Sequence, residues 1–218
     1  MDIVEAIKTR KSIRGYKSDP VPESVLKEIL AIATRSPSAT NTQPWKVTVV
    51  SGEALDGIKK GNLELYTAGK IPERRRLEGV YRERQVELGI QLFNLMGIGR
   101  DDREKREDWV RRGLRFFEAP AVIYLSVESS LGEHYSNFDC GALAQTICLT
   151  ALNYGLGTCI MGQGMNFPDV VRKFTSIPEP ERLVISIAIG YPDWDFPANR
   201  LESRREPVEV VARFVSRV

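Results

Sequence analysis

The segment NFDCGALAQTICLTALNY, residues 137–154, constrains this chain more than any other. It has helical spacing and is apolar nearly all round, so a helix built from it has to be enclosed. The rest of the chain must therefore wrap around it. Its small residues Gly141, Ala142 and Ala144 would let a neighbouring helix approach closely, and Gly155 and Gly157 stop it. Such a helix can form the core of one chain or the contact between two copies, and the pattern alone allows both.

Around it, spacing predicts helices over 2–10, 22–35, 53–60, 80–96, 101–117 and 168–174. Asp2 can cap the first, and Pro22 suits the first turn of the second. Strands are expected at Val47–Val50, at residues 121–127 after Pro120, at Thr158–Met161 and at Leu183–Ile189. Residues 61–79 read as irregular. The C-terminal tail is rich in proline and charge and ends in a β-branched segment. Short strands separated by long helices predict an α+β or α/β chain with a small sheet covered by helices. No repeat, low-complexity tract or boundary divides it, so residues 1–218 read as a single domain.

Several function classes are disfavoured at once. The net charge of +2 is too balanced for a general polyanion or nucleic-acid binder. Cys140, Cys148 and Cys159 include no C-x-x-C pair and read as reduced, buried thiols. His134 is the sole histidine, in a polar lead-in to the long helix, which excludes a multi-histidine zinc site and weakens a Ser-His or Cys-His hydrolase. No metal site is expected. The N-terminus lacks a signal-peptide apolar core, and no apolar run approaches the ~20 residues that span a bilayer. A soluble, cytoplasmic protein without membrane or nucleic-acid partners is the expectation.

Three constellations remain. In RKSIR, an extended backbone puts Arg10, Ser12 and Arg14 on one face, suited to a phosphate and a polar ring edge. In a continued helix Ser12 would turn away, and a surface patch paired with Asp2, Glu5 or Asp19 is the plain alternative. A second cluster, Arg200, Arg204 and Arg205, lies near the other end of the chain. Finally, GLGTCIMGQG fails the dinucleotide fingerprint, because Ile160 stands where a third glycine is needed and the stretch follows a helix. It still leaves Gly162 and Gly164 where backbone could approach a flat ligand.

Taken together, RKSIRGY, SPSATNTQPW, DCGALAQTICLTALNYGLGT, and IAIGYPD followed by RREPVEVV resemble the nitroreductase family of FMN-dependent oxidoreductases. The resemblance runs from residue 2 to about residue 215 and is least diagnostic over roughly 61–118. The stretch GIGRDDREKREDWVRRGLRFFEAPAVI is similar to the branch that reduces nitrobenzoates. It implies a nitroreductase-like fold with a mostly antiparallel sheet and an intertwined homodimer with FMN at the subunit interface. Arg10 would bind the FMN phosphate, Lys11 and Ser12 would line the phosphate and ribityl chain, and Arg14 would reach the pyrimidine edge. Pro37, Ser38 and Asn41 match a loop laid on the flavin by the partner. Gly162 matches the backbone N–H facing flavin N5, and Arg205 a second phosphate ligand. Ser203 stands where a phosphate-binding lysine is common, leaving Arg204 to substitute, and Met161 replaces a position more often polar.

The implied chemistry needs no catalytic side chain, because the flavin carries it. NADH or NADPH would reduce the flavin, and a nitroaromatic or other electron-poor acceptor would reoxidise it, a ping-pong sequence in one cavity. Arg75, Arg76, Tyr81, Arg82 and Phe117 are candidate channel residues. The same fold class hosts enone reduction, reductive dehalogenation and flavin fragmentation, and a non-enzymatic FMN-binding protein is a further alternative.

Overall fold

The computed structural model describes residues 2–70 and 76–216. Four strands, β1 (Trp45–Ser51), β2 (Ala121–Glu128), β3 (Gly157–Met161) and β4 (Glu181–Gly190), form one sheet in the order β1-β2-β4-β3, with every ladder antiparallel. The α+β expectation and the mostly antiparallel sheet both hold. Eight helices accompany the sheet among the described residues: α1 (Ile3–Thr9), α2 (Glu23–Ala33), α3 (Gly52–Thr67), α4 (Gly79–Leu95), α5 (Arg103–Leu114), α6 (Glu133–Leu152), α7 (Pro168–Thr175) and α8 (Val208–Val211).

Strand β2 shows why the sheet is sandwiched. Its side chains alternate faces. Ala121, Ile123, Leu125 and Val127 pack with α2 and α6 residues such as Ile29, Leu143 and Ile147. Val122 and Tyr124 point the other way, toward Leu55 and Ile58 of α3 and Val171 of α7. A strand covered on both faces reads as an unbroken apolar run rather than an alternation. Each such Ile or Leu buried in full contributes about 1.5–3 kcal/mol of transfer free energy.

Four expectations need correction. Helix α3 continues to Thr67 instead of ending at 60. Gly61 looks like a breaker, but its bare backbone admits Val170 of α7, which a Cβ would meet at 2.6 Å. At the next residue, the buried Asn62 amide donates to the Leu114 carbonyl at 3.1 Å. Helix α6 begins at Glu133, so the polar stretch around His134 is its first turn. It is also not buried all round: Leu143, Ala144, Ile147 and Cys148 face the sheet, while Phe138, Gly141 and Gln145 are exposed. The β-branched C-terminal segment, for which no element was expected, forms the single helical turn α8 and then runs largely exposed. The helix expected to reach 117 ends at Leu114, because Phe116, Phe117 and Glu118 all take positive φ and turn the chain into β2.

Candidate functional site

After α1 the backbone leaves the helix, and Arg10 is already extended. The RKSIR segment runs beside the edge strand β3, where Ser12 bridges Thr158 in parallel and the Ile13 N–H donates to the Thr158 carbonyl at 2.9 Å. The alternation follows: Ile13 is buried at 2% exposure, while Arg10, Ser12 and Arg14 stay half-buried. Two features hold the segment down. Gly157 has no side chain to obstruct it, since a Cβ there would lie 2.5 Å from Ile13. The buried Tyr16 hydroxyl donates toward the carbonyls of Ile13 at 3.1 Å and Ala188 at 3.3 Å, and its burial keeps the phenol protonated, pushing its pKa up.

The surface-patch alternative pairs these cations with Asp2, Glu5 or Asp19, and none of those bridges forms. Among the described residues no carboxylate lies within 4.0 Å of Arg10 or Arg14. The Lys11 ammonium meets Glu202 at 3.9 Å, and Arg14 Nη1 donates to the Ser12 carbonyl at 3.3 Å.

The Lys11–Glu202 contact brings the two ends of the chain together, and Asn199 fastens them. Its side chain, 1% exposed, accepts from the Arg14 N–H at 2.7 Å and donates to the Gly15 and Asp193 carbonyls, each at 2.7 Å. Nothing in the local sequence FPANR marks this residue, because two of its three partners are 184 and 185 positions away. Beyond it, Arg204 and Arg205 line a cleft of about 540 Å³ with Arg84, Glu87 and Gln91 of α4. Arg205 folds back so that one nitrogen donates to the Ser203 hydroxyl at 2.7 Å. Arg10 makes no hydrogen bond or ion pair with Arg204 or Arg205 among the described residues. The N-terminal and C-terminal cations are thus neighbours through Lys11 and Glu202, without direct contact.

Strand β3 ends in a tight turn at Gly162–Gln163–Gly164. Gly162 is exposed, and a Cβ there would meet nothing within 4 Å. No acceptor among the described residues takes its N–H. Gly164 is its opposite, wedged against Ser186 and Phe116.

The Pro37–Asn41 segment is held by α6. The Asp139 carboxylate, 2% exposed, accepts the Ala39 N–H at 3.2 Å through both oxygens, and Ser36 donates to Thr146 at 2.7 Å. Ser38 accepts from the Gln43 N–H at 2.9 Å. Thr40, Asn41 and Gln43 all take positive φ, a strained path for non-glycine residues. Pro37 and Ser38, with His134, Tyr135 and Phe138, line a cleft of about 350 Å³. No hydrogen bond or ion pair joins the Pro37–Asn41 segment to Arg10, Ser12 or Arg14 among the described residues: the first is held by α6 and the second runs along β3.

The remaining candidates divide. Arg76, Tyr81 and Arg82 are exposed. Arg75 lies outside the described residues. Phe117 is no channel residue: at 4% exposure it packs on Trp109 with ring centres 5.5 Å apart. His134 is exposed and meets Tyr135 edge-on. All three cysteines are free and buried, and burial pushes Cys140 and Cys148 up to about 11, well away from thiolate chemistry. No described helix is long and apolar enough to cross a membrane.

Comparison with known proteins follows the same lines. The Nitroreductase family model matches residues 7–191. A 4-nitrobenzoate reductase from Nocardioides sp. (strain LMS-CY) is 31% identical over 212 residues, covering 93% of this chain and 85% of that protein. The FMN- and NADPH-dependent nitroreductase NfnB from Sphigopyxis sp. strain HMH superposes with a TM-score of 0.93 at 27% identity, over 99% of this chain and all of that one. The FMN-dependent NfnB from Mycobacterium smegmatis, solved with NADPH, gives 0.90 at 29% identity, over 98% and 97% of the two chains. With its sheet order, its edge-strand RKSIR segment and a family match that spans most of its length, the chain belongs to the nitroreductase family.

Proposed function

We propose that this protein is an FMN-dependent oxidoreductase that uses NAD(P)H to reduce nitroaromatic or other electron-poor acceptors, as one domain acting in a homodimer. The observation that carries the reading is the pair Arg10 and Arg14, half-buried on one face of an extended segment with Ser12 between them and no carboxylate among the described residues to neutralise them. Two partly desolvated guanidiniums left unpaired are unfavourable, and a dianionic phosphate with an adjoining polar ring edge resolves that. The donor set therefore fits FMN: Arg10, Lys11 and Ser12 for the phosphate and ribityl chain, Arg14 for the pyrimidine edge, and the open Gly162 N–H for N5. Arg204 and Arg205, tethered by the segment that carries Glu202, would supply further charge at the phosphate.

The chemistry supplied by bound FMN is two-electron transfer from NAD(P)H to the acceptor in two half-reactions that share one cavity. The chain's part is to bind, orient and polarise. A guanidinium at the N1 and C2 carbonyl edge stabilises the negative charge that reduction places there. Gly162, lacking a side chain, leaves room for a ring system to lie against the backbone. The Pro37, Ser38 and Asn41 loop is held by α6 through Asp139, while Arg10, Ser12 and Arg14 are held along β3, and the resemblance assigns that loop to the flavin of a second copy. Exposed Phe138, Ile160, Val210, Val211 and Phe214 supply apolar surface for that contact. The cytoplasm, where NAD(P)H is available and buried thiols stay reduced, is the fitting compartment.

The purified protein is expected to be yellow, to release FMN on denaturation, and to be bleached by NADH or NADPH without oxygen. Adding 4-nitrobenzoate should restore the colour. A colourless protein that also fails to take up added FMN overturns the reading. One that holds FMN unbleached by either nucleotide is a binding protein, not an enzyme.

A further inference from the structure

Ser186 lies in the middle of β4, fully buried, directly opposite Met161 in the β3–β4 ladder. Its hydroxyl donates to the Met161 carbonyl at 2.6 Å. That carbonyl and the Gly162 N–H belong to one peptide group, and a trans planar peptide points its C=O and N–H in opposite directions. A hydroxyl gripping the carbonyl from the buried side therefore fixes the N–H on the other side, where Gly162 is exposed and its surroundings are open. The serine also fills the space a Cβ on Gly164 would need, at 2.3 Å from that position, so the turn cannot settle toward the sheet.

From this geometry we infer that Ser186 is a positioning residue: it locks the Met161–Gly162 peptide with its N–H turned outward, toward flavin N5. The inference rests on the FMN reading above. Its consequence is thermodynamic. Oxidised N5 carries a lone pair and accepts a hydrogen bond. Reduced N5 carries a proton and is better served by a carbonyl. A locked outward N–H therefore favours the oxidised cofactor, and a peptide free to rotate would stabilise the reduced one. Tyr124 provides an internal comparison. Its buried hydroxyl donates to the Gly164 carbonyl at 3.3 Å, on the same turn but on a different peptide.

The test is a redox titration of FMN-loaded protein, with oxidised-FMN affinity measured alongside. Ser186→Ala should bind oxidised FMN more weakly and favour the reduced form about tenfold relative to the parent, an upward shift of about 30 mV for a two-electron couple. Tyr124→Phe removes a comparable buried hydrogen bond and should leave the midpoint unchanged. If Ser186→Ala does not fold, Ser186→Cys, nearly isosteric and a weak donor, should shift the midpoint the same way by less. Equal shifts in the Ser186 and Tyr124 variants would mean generic loosening of the turn and overturn the inference. So would an unchanged midpoint in whichever Ser186 variant folds. A parent protein that does not hold FMN would instead sink the function reading itself.

Discussion

Single side chains in this protein carry separable tasks. In the proposed site Arg14 would offer its guanidinium to FMN, while its backbone N–H is anchored by Asn199. Arg14→Ala should lower FMN affinity roughly 10- to 100-fold, the worth of a charge-assisted hydrogen bond, with little change in stability. Flavin fluorescence titration checks the first part, and a thermal melt the second. Asn199→Ala should do the reverse in emphasis. It leaves the buried Arg14 N–H unpaired and takes one of two donors from each of the Gly15 and Asp193 carbonyls, which keep the Asp193 and Phe196 N–H groups, and should cost about 1–3 kcal/mol, read as a lower urea midpoint. Cys148 gives a pH signature. Burial raises its folded-state pKa to about 11 from an ordinary value near 9. The folded state therefore holds the proton more tightly than the unfolded one. The resulting stability is complete below about pH 9 and is lost as pH rises toward 11, by roughly 2–3 kcal/mol. Urea midpoints at pH 8 and pH 11 should show this loss, and Cys148→Ala should reduce it.

At the scale of elements, the RKSIR segment behaves as an accessory strand laid on β3, and its fit depends on what is missing at Gly157. Gly157→Ala would set a methyl 2.5 Å from Ile13 and 2.8 Å from Pro192, both fixed by packing. It should cost about 1–3 kcal/mol and weaken FMN binding by lifting Arg10 and Arg14 off the sheet edge. Gly113→Ala makes the contrast. Its methyl would meet the Gln163 side-chain amide, a flexible group that can swing away, so the melting temperature should barely move. If the two variants melt alike, close approach at β3 is not what seats the basic segment. Helix α6 similarly does two jobs: its inner face packs the sheet, and its first turns pin the Pro37–Asn41 loop through Asp139.

At the scale of the whole molecule, the exposed apolar residues are distributed in a way one chain does not explain. Ile3, Val4 and Ile7 on α1, Phe138 on α6, Ile160 on β3 and the tail from Val208 to Val215 all face outward. In the proposed homodimer, a second copy would cover them. Sedimentation is expected to give twice the 24.6 kDa chain mass. Truncation after Pro207 should weaken the dimer and FMN retention together. A truncated chain that stays dimeric and keeps its flavin would show that the tail is not part of the contact.

The amino-acid order by itself determined the elements that rest on local periodicity: the apolar run of β2, the long α6 and the helix stop at Gly155. The extended exit of Arg10 from α1 was one of two conformations it allowed, and the edge of β3 selected it. The sequence put Arg10, Ser12 and Arg14 on one face only on condition that the backbone was extended, because alternation is a property of an extended chain. It ended α3 at residue 60, short of Thr67, because the packing of Gly61 on Val170 of α7 is decided by a neighbour far along the chain. Tertiary structure alone selected Asn199, Asp139 and Ser186, ordinary polar residues whose importance lies in a buried partner distant in sequence. A hydrogen bond across 25 or 185 residues leaves no periodic trace. Only folding, by removing water from both partners at once, turns such a pair into a constraint.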